Sequence, residues 1–105
     1  MAPMEIWHNP RCSKSRAAKQ ALDDAGETYT ERRYLDNPPT EQELDHVLTL
    51  LGKEPWEIAR TKEPAYQQFK NEPHDRAKWI KILAENPVLI ERPIVIKEDE
   101  ASIER

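Results

Sequence analysis

Cys12 is the only cysteine of the chain and lies within Trp7-His8-Asn9-Pro10-Arg11-Cys12-Ser13-Lys14-Ser15-Arg16. Arg11, Lys14, Ser15 and Arg16 surround it with cations and hydrogen-bond donors. A lone cysteine is commonly a small, buried, inert core residue, but core cysteines are rarely embedded among Arg, Ser and Lys. Such flanks suit a reactive thiol, because nearby positive charge stabilises the thiolate, which is the nucleophile.

The elements around Cys12 strengthen that reading. Met4-Glu5-Ile6-Trp7 reads as a short strand, and Asn9-Pro10 is a turn signal that stops it. Ala18, Ala21, Leu22 and Ala25 recur at helical spacing, with Gly26 as a cap beyond the end. Cys12 therefore falls on a strand-to-helix turn, at or just before the first helical turn. Unpaired N–H groups and the positive end of the helix dipole stabilise negative charge there. The spacing predicts a Cys12 pKa well below the free value of about 8.5, and N–H groups that can hold a tetrahedral oxyanion against the sulfur. His8 and Arg16 are candidates to lower the pKa further. His8 has a second reading, in which the imidazole only caps a turn or bonds a backbone carbonyl.

The rest of the chain supplies the frame. Glu27 to Tyr34 is strand-like, and its charges predict an edge position. Thr40 and Glu43 form a capping box before the stripe Leu44, Val47, Leu48 and Leu51, and Gly52 ends that helix. Short helical turns are expected at Pro55–Arg60 and after Pro64, around Tyr66 and Phe69. A last helix follows Pro73 and Asp75, with Ala77, Trp79, Ile80, Leu83 and Ala84 toward the core and Asn86-Pro87 closing it. Val88-Leu89-Ile90 and Ile94-Val95-Ile96 are expected as two strands, and Lys97 to Arg105 as a solvated polar tail. The order β-α-β, helical block, β-β predicts an α/β, thioredoxin-like fold with an inserted helical block, lacking the usual C-terminal helix. Its boundaries are about 1–36 and 87–105 for the thioredoxin-like part and about 40–86 for the insertion, within a single domain.

Composition narrows the function. The 105 residues carry a net charge of -4, and 34% are charged. An acidic balance argues against binding to nucleic acid or an anionic membrane, and no apolar run nears the roughly 18 residues of a membrane span. No signal-peptide pattern is present, so a reducing cytoplasm is the expected compartment. With one cysteine, any redox cycle must borrow its second thiol. His46 and His74 are read as solvated, and one cysteine with three scattered histidines does not make a metal site. Trp7, Trp56 and Trp79 are read as packing residues. Cys12 and Arg16 are too close for the C-x5-R loop of tyrosine phosphatases.

At His8-Asn9-Pro10-x-Cys12-x-x-Ser15-Arg16 the sequence resembles the glutaredoxin-coupled arsenate reductases and their Spx-type relatives (ArsC/Spx-like, in the thioredoxin-like superfamily). Tyr34-Leu35-Asp36-Asn37-Pro38-Pro39, Arg60, Asn86-Pro87 and Arg92-Pro93-Ile94-Val95 agree in the same order. The resemblance implies reduction of arsenate or a similar oxyanion, with Cys12, His8, Ser15 and Arg16 in the catalytic loop. In that scheme Cys12 attacks arsenate, glutathione or another low-molecular-weight thiol displaces the adduct, and glutaredoxin clears the mixed disulfide. No bound cofactor is implied. Arg60, Arg92 and Arg105 match the family's anion-binding arginines, and Pro93 its cis-proline. Arginine forks suit this substrate class because they stay charged and bind oxyanions bidentately. Without the resemblance, Arg60 reads as a surface arginine pairing with Glu57 or Glu63. Two other functions fit the same residues. One is a general thiol oxidoreductase with another substrate. The other is an Spx-type regulator that binds RNA polymerase, although Ser15 stands where such proteins carry the second cysteine of a C-x-x-C switch.

Overall fold

Large apolar residues at Ile6 and Trp7 place β1 (Met4–Trp7) in the middle of a four-stranded sheet in the computed structural model, which describes residues 4–104. The strand order is β2-β1-β3-β4, with β2 at Tyr29–Arg32, β3 at Ile94–Ile96 and β4 at Ala101–Ile103. β1 runs parallel to β2 (Ile6 opposite Glu31) and antiparallel to β3 (Ile6 opposite Val95). A parallel pair needs a crossover, and helix α1 (Ser13–Asp24) provides it. The two central strands are apolar where they are buried, at Ile6, Trp7, Ile94 and Val95. The charged β2 takes an edge, as its composition predicts.

The chain divides into two compact units, one comprising residues 1–37 and 92–105, the other 38–91. The second unit is helical. Helix α2 (Glu41–Leu51) starts with the predicted Thr40/Glu43 capping box and ends on Gly52, whose φ of 68° is the left-handed conformation that glycine adopts without strain. Helix α3 (Arg76–Glu85) is capped by Asp75, which accepts the Lys78 N–H. The two pack together through Leu44, Val47 and Leu48 on α2 and buried Trp79, Ile80, Ile82 and Leu83 on α3. At their edge Arg76 bridges Asp45 (2.9 Å) and Glu54 (2.6 Å). Short 3-10 turns occupy Pro55–Ile58, Pro64–Gln68 and Pro87–Leu89.

Three expectations need correction. Val88-Leu89-Ile90 is not a sheet strand. Pro87 opens a 3-10 turn through Leu89, and Ile90 makes only an isolated bridge to Ala59. The partner of β3 is instead β4, inside the expected polar tail, and Lys97 to Glu100 form the hairpin loop closed by Lys97 N–H to Glu100 O at 2.7 Å. On α3, Trp79, Ile80 and Leu83 are buried as expected and Ile82 joins them, but Ala77 is exposed. Trp7 and Trp79 are core residues, while half-buried Trp56 stacks on exposed His74 at 4.4 Å between ring centroids. Among the described residues no helix is long and apolar enough to cross a membrane, and no group of His, Cys, Asp or Glu is arranged to hold a metal ion.

Candidate active site

The loop from β1 to α1 is fastened at both ends before it presents its cysteine. The His8 N–H extends the parallel pairing by donating to the Arg32 carbonyl at 2.8 Å. Asn9 then folds the turn. Its carbonyl accepts the Cys12 N–H (3.0 Å), its side-chain Oδ1 accepts the Arg11 N–H (3.0 Å), and its own N–H donates to Ser15 Oγ (2.9 Å). An asparagine whose side chain bonds the backbone two residues on is a standard turn device, so Asn9 is a positioning residue that the sequence marked only as part of a turn. Arg16 braces the same loop from outside, donating to the Pro10 carbonyl at 3.0 Å.

Cys12 is the N-cap of α1, extended at φ -98° and ψ 124°, and half-buried. Its sulfur makes no ordinary capping bond. Burial pushes the thiol pKa up, but the N–H groups of Ser15 and Lys14 and the charge and hydrogen bond of the Arg92 guanidinium outweigh it, so the pKa is lowered. A neutral thiol is a poor acceptor, whereas a thiolate engages all three donors. No acidic residue occupies the first turn of α1 to compete with an incoming anion.

His8 and Ser15 form the floor beneath this loop. Both are buried, and His8 Nδ1 lies 2.8 Å from Ser15 Oγ. Ser15 Oγ accepts the Asn9 N–H and shares a second hydrogen bond with the His8 Nδ1 position, so the hydroxyl ties the imidazole to the turn. Burial is the main cause lowering the His8 pKa, only partly opposed by the Glu31 carboxylate, so the imidazole is neutral at physiological pH. Its side-chain hydrogen bond goes to the Ser15 hydroxyl and not to a backbone carbonyl. The groups that chiefly depress the Cys12 pKa are the helix N–H groups and Arg92, not His8 or Arg16.

The remaining sequence-predicted residues divide by position. The Arg92–Pro93 peptide is cis, the buried Pro93 carbonyl accepts the Glu104 N–H (3.0 Å), and β3 follows directly. This brings Arg92 to Cys12 from the far end of the chain. Arg60 belongs to the helical unit, where its guanidinium pairs with Glu63 (2.9 Å) and donates to the Val88 carbonyl (3.2 Å). That is one of the surface pairings its neighbours suggested. Arg105 lies outside the described residues.

The profile of the ArsC family matches residues 7–105. An arsenate reductase of Neisseria meningitidis serogroup A is 36% identical over 108 residues, covering 100% of this chain and 92% of that protein. A protein of the glnII region of Streptomyces viridochromogenes, itself uncharacterized, is 48% identical over 105 residues, covering 95% of this chain and 88% of that protein. The solved structure of the arsenate reductase from Vibrio cholerae superposes with a TM-score of 0.90 at 32% identity, covering 97% of this chain and 89% of that one. With the β1-α1-β2 unit, the cis-proline before β3 and the cysteine at the start of α1 in place, the chain has the thioredoxin-like fold expected of it and belongs to the ArsC family.

Proposed function

We propose that this protein reduces arsenate to arsenite, with Cys12 as nucleophile, glutathione as the thiol co-substrate and glutaredoxin as the partner that regenerates the enzyme, in the cytoplasm. The observation that carries the reading is the sulfur itself, facing two helix N–H groups and the Arg92 guanidinium, with its pKa lowered. The relatives named as arsenate reductases support the substrate.

The steps balance as follows. The Cys12 thiolate attacks arsenic, an S–As bond forms, and an oxygen leaves as water after protonation. Arg92 and the first-turn N–H groups offset the charge of the oxyanion and of the transition state. A glutathione thiolate then attacks Cys12 Sγ, and the electron pair of the S–As bond goes to arsenic, which departs as As(III). The resulting Cys12–glutathione disulfide is attacked at the glutathione sulfur by a glutaredoxin thiol, which returns Cys12 as a thiolate. Overall, arsenate and two thiols give arsenite, one disulfide and water. Arg60 and Arg105 are proposed as further anion-binding groups on the family resemblance. The Spx-type alternative is weakened because Ser15, in place of a second cysteine, is buried and engaged with His8.

The test is a coupled assay with arsenate, glutathione, glutaredoxin, glutathione reductase and NADPH. Arsenate-dependent NADPH oxidation is expected from the wild type, falling about 10³-fold or more in Cys12→Ser. No turnover by a wild type whose thiol still reacts with iodoacetamide would overturn arsenate as substrate and favour another thiol or disulfide substrate.

A further inference from the structure

A cleft of about 350 Å³ borders the turn that ends on Cys12, lined by Asn9, Pro10 and Arg11 and by Arg33, Leu35 and Asp36. Its volume is within the range of small-ligand sites. Three features distinguish it from ordinary surface. The side chains of Arg11 and Asp36 make no hydrogen bond or direct ion pair among the described residues. Leu35 is the exposed large hydrophobic residue of the described chain, at 37%. Arg33, which also lines the neighbouring cleft along β2, spends only its Nε there, on Glu31 at 2.8 Å.

We infer that this cleft is the binding site for the thiol co-substrate, a tripeptide thiol of the glutathione type. Such a molecule carries two carboxylates and one ammonium on a short backbone with some apolar surface. The cleft offers the complement: guanidinium groups at Arg11 and Arg33 for the carboxylates, the Asp36 carboxylate for the ammonium, and Leu35 with Pro10 for the methylenes. Arg33 keeps terminal nitrogens for a ligand because its ion pair with Glu31 is made through Nε. Reach is adequate as well. An extended tripeptide spans about 10 Å, and Cys12 is one residue, about 3.8 Å between Cα atoms, beyond the Arg11 wall. The inference rests on the thiol-relay reading above and adds where the second thiol is held.

The experiment uses S-methylglutathione, which binds like glutathione but cannot react, titrated into the full chain and followed by amide chemical shifts. Shifts concentrated at Asn9, Arg11, Arg33, Leu35 and Asp36 are expected. Arg11→Glu and Asp36→Lys should each weaken binding about fivefold, the size of one exposed ion pair, while Cys12→Ser should bind like the wild type. In turnover, Arg11→Glu should raise the KM for glutathione and leave that for 2-mercaptoethanol unchanged. No shifts in the cleft, or unchanged affinity in both charge reversals, would overturn the site. The two readings fail separately. Cleft binding without arsenate turnover would sink the substrate and keep the site, whereas arsenate turnover with a glutathione KM indifferent to Arg11→Glu would do the reverse.

Discussion

Helices α1 and α2 both start from an extended residue, but α2 closes its first turn on itself and α1 leaves its first turn open. At α2 the Thr40 hydroxyl accepts the Glu43 N–H (3.1 Å), the Glu43 carboxylate accepts the Thr40 N–H (2.8 Å), and Glu41 and Glu43 answer the dipole. At α1 the capping position holds Cys12, no carboxylate is present in the first turn, and the Lys14 and Ser15 N–H groups face a sulfur instead of an oxygen acceptor. Local rules are satisfied where the chain needs only to fold and are broken where it handles charge. The donors left open at α1 stabilise the thiolate and remain available to an oxyanion.

That contrast can be broken in graded ways. The largest effect is expected from Arg92→Ala, which removes the side-chain cation that engages the sulfur among the described residues. Arsenate kcat/KM should fall about 10²-fold, with Arg92→Lys intermediate because it keeps charge without the fork. If steady-state kinetics found Arg92→Ala fully active, the geometry assigned to the site would be wrong. Next comes Ser15→Ala, which leaves the buried His8 Nδ1 and the Asn9 N–H without their partner. Denaturant unfolding should show a loss of about 2 kcal/mol.

Smaller effects sharpen the comparison. Thr40→Ala should cost about 1 kcal/mol, read as a drop of a few degrees in Tm, with the pH dependence of Cys12 alkylation unmoved. Cys12→Asp should do the opposite, supplying a capping carboxylate opposite Arg92 and raising stability by about 0.5 to 1 kcal/mol in an inactive protein. A destabilised Cys12→Asp would mean that the start of α1 is not short of an acceptor. Acid adds a further check through His8. Its folded pKa lies below the unfolded value of about 6.5, so its contribution is present above that value and is lost as pH falls through the folded pKa. His8→Asn should flatten this part of the stability profile.

Much of this contrast was legible in the sequence. The capping box, the stop at Gly52, the edge character of β2 and the place of Cys12 all follow from local patterns within a few residues. The misread parts depend on distant partners. Val88-Leu89-Ile90 is rich in strand formers, but Pro87 fixes a φ suited to a helical turn, and only Ile90 finds a pairing partner, at Ala59. Ala101–Ile103 becomes a strand because β3 offers it an edge, a fact absent from three unremarkable residues among charges. At the site the place of Cys12 at the start of a helix was readable, and so was the cis-proline, through the resemblance. The lowered pKa of His8 was not, since it depends on burial created by the fold. Nor was the cleft beside Cys12, which forms only when Arg33, Leu35 and Asp36 meet the Asn9–Arg11 turn.

The most direct test of the central claim is the rate of Cys12 alkylation by iodoacetamide as a function of pH, in the wild type and in Arg92→Ala. A thiol whose folded pKa is lowered ionises early as pH rises, so the wild-type midpoint should fall below the free-cysteine value of about 8.5. Loss of the guanidinium should move it upward, and the helix N–H groups should keep it short of a fully buried thiol. A wild-type midpoint at or above about 8.5, or one indifferent to Arg92, would contradict the account of Cys12 as a thiolate held ready for an oxyanion.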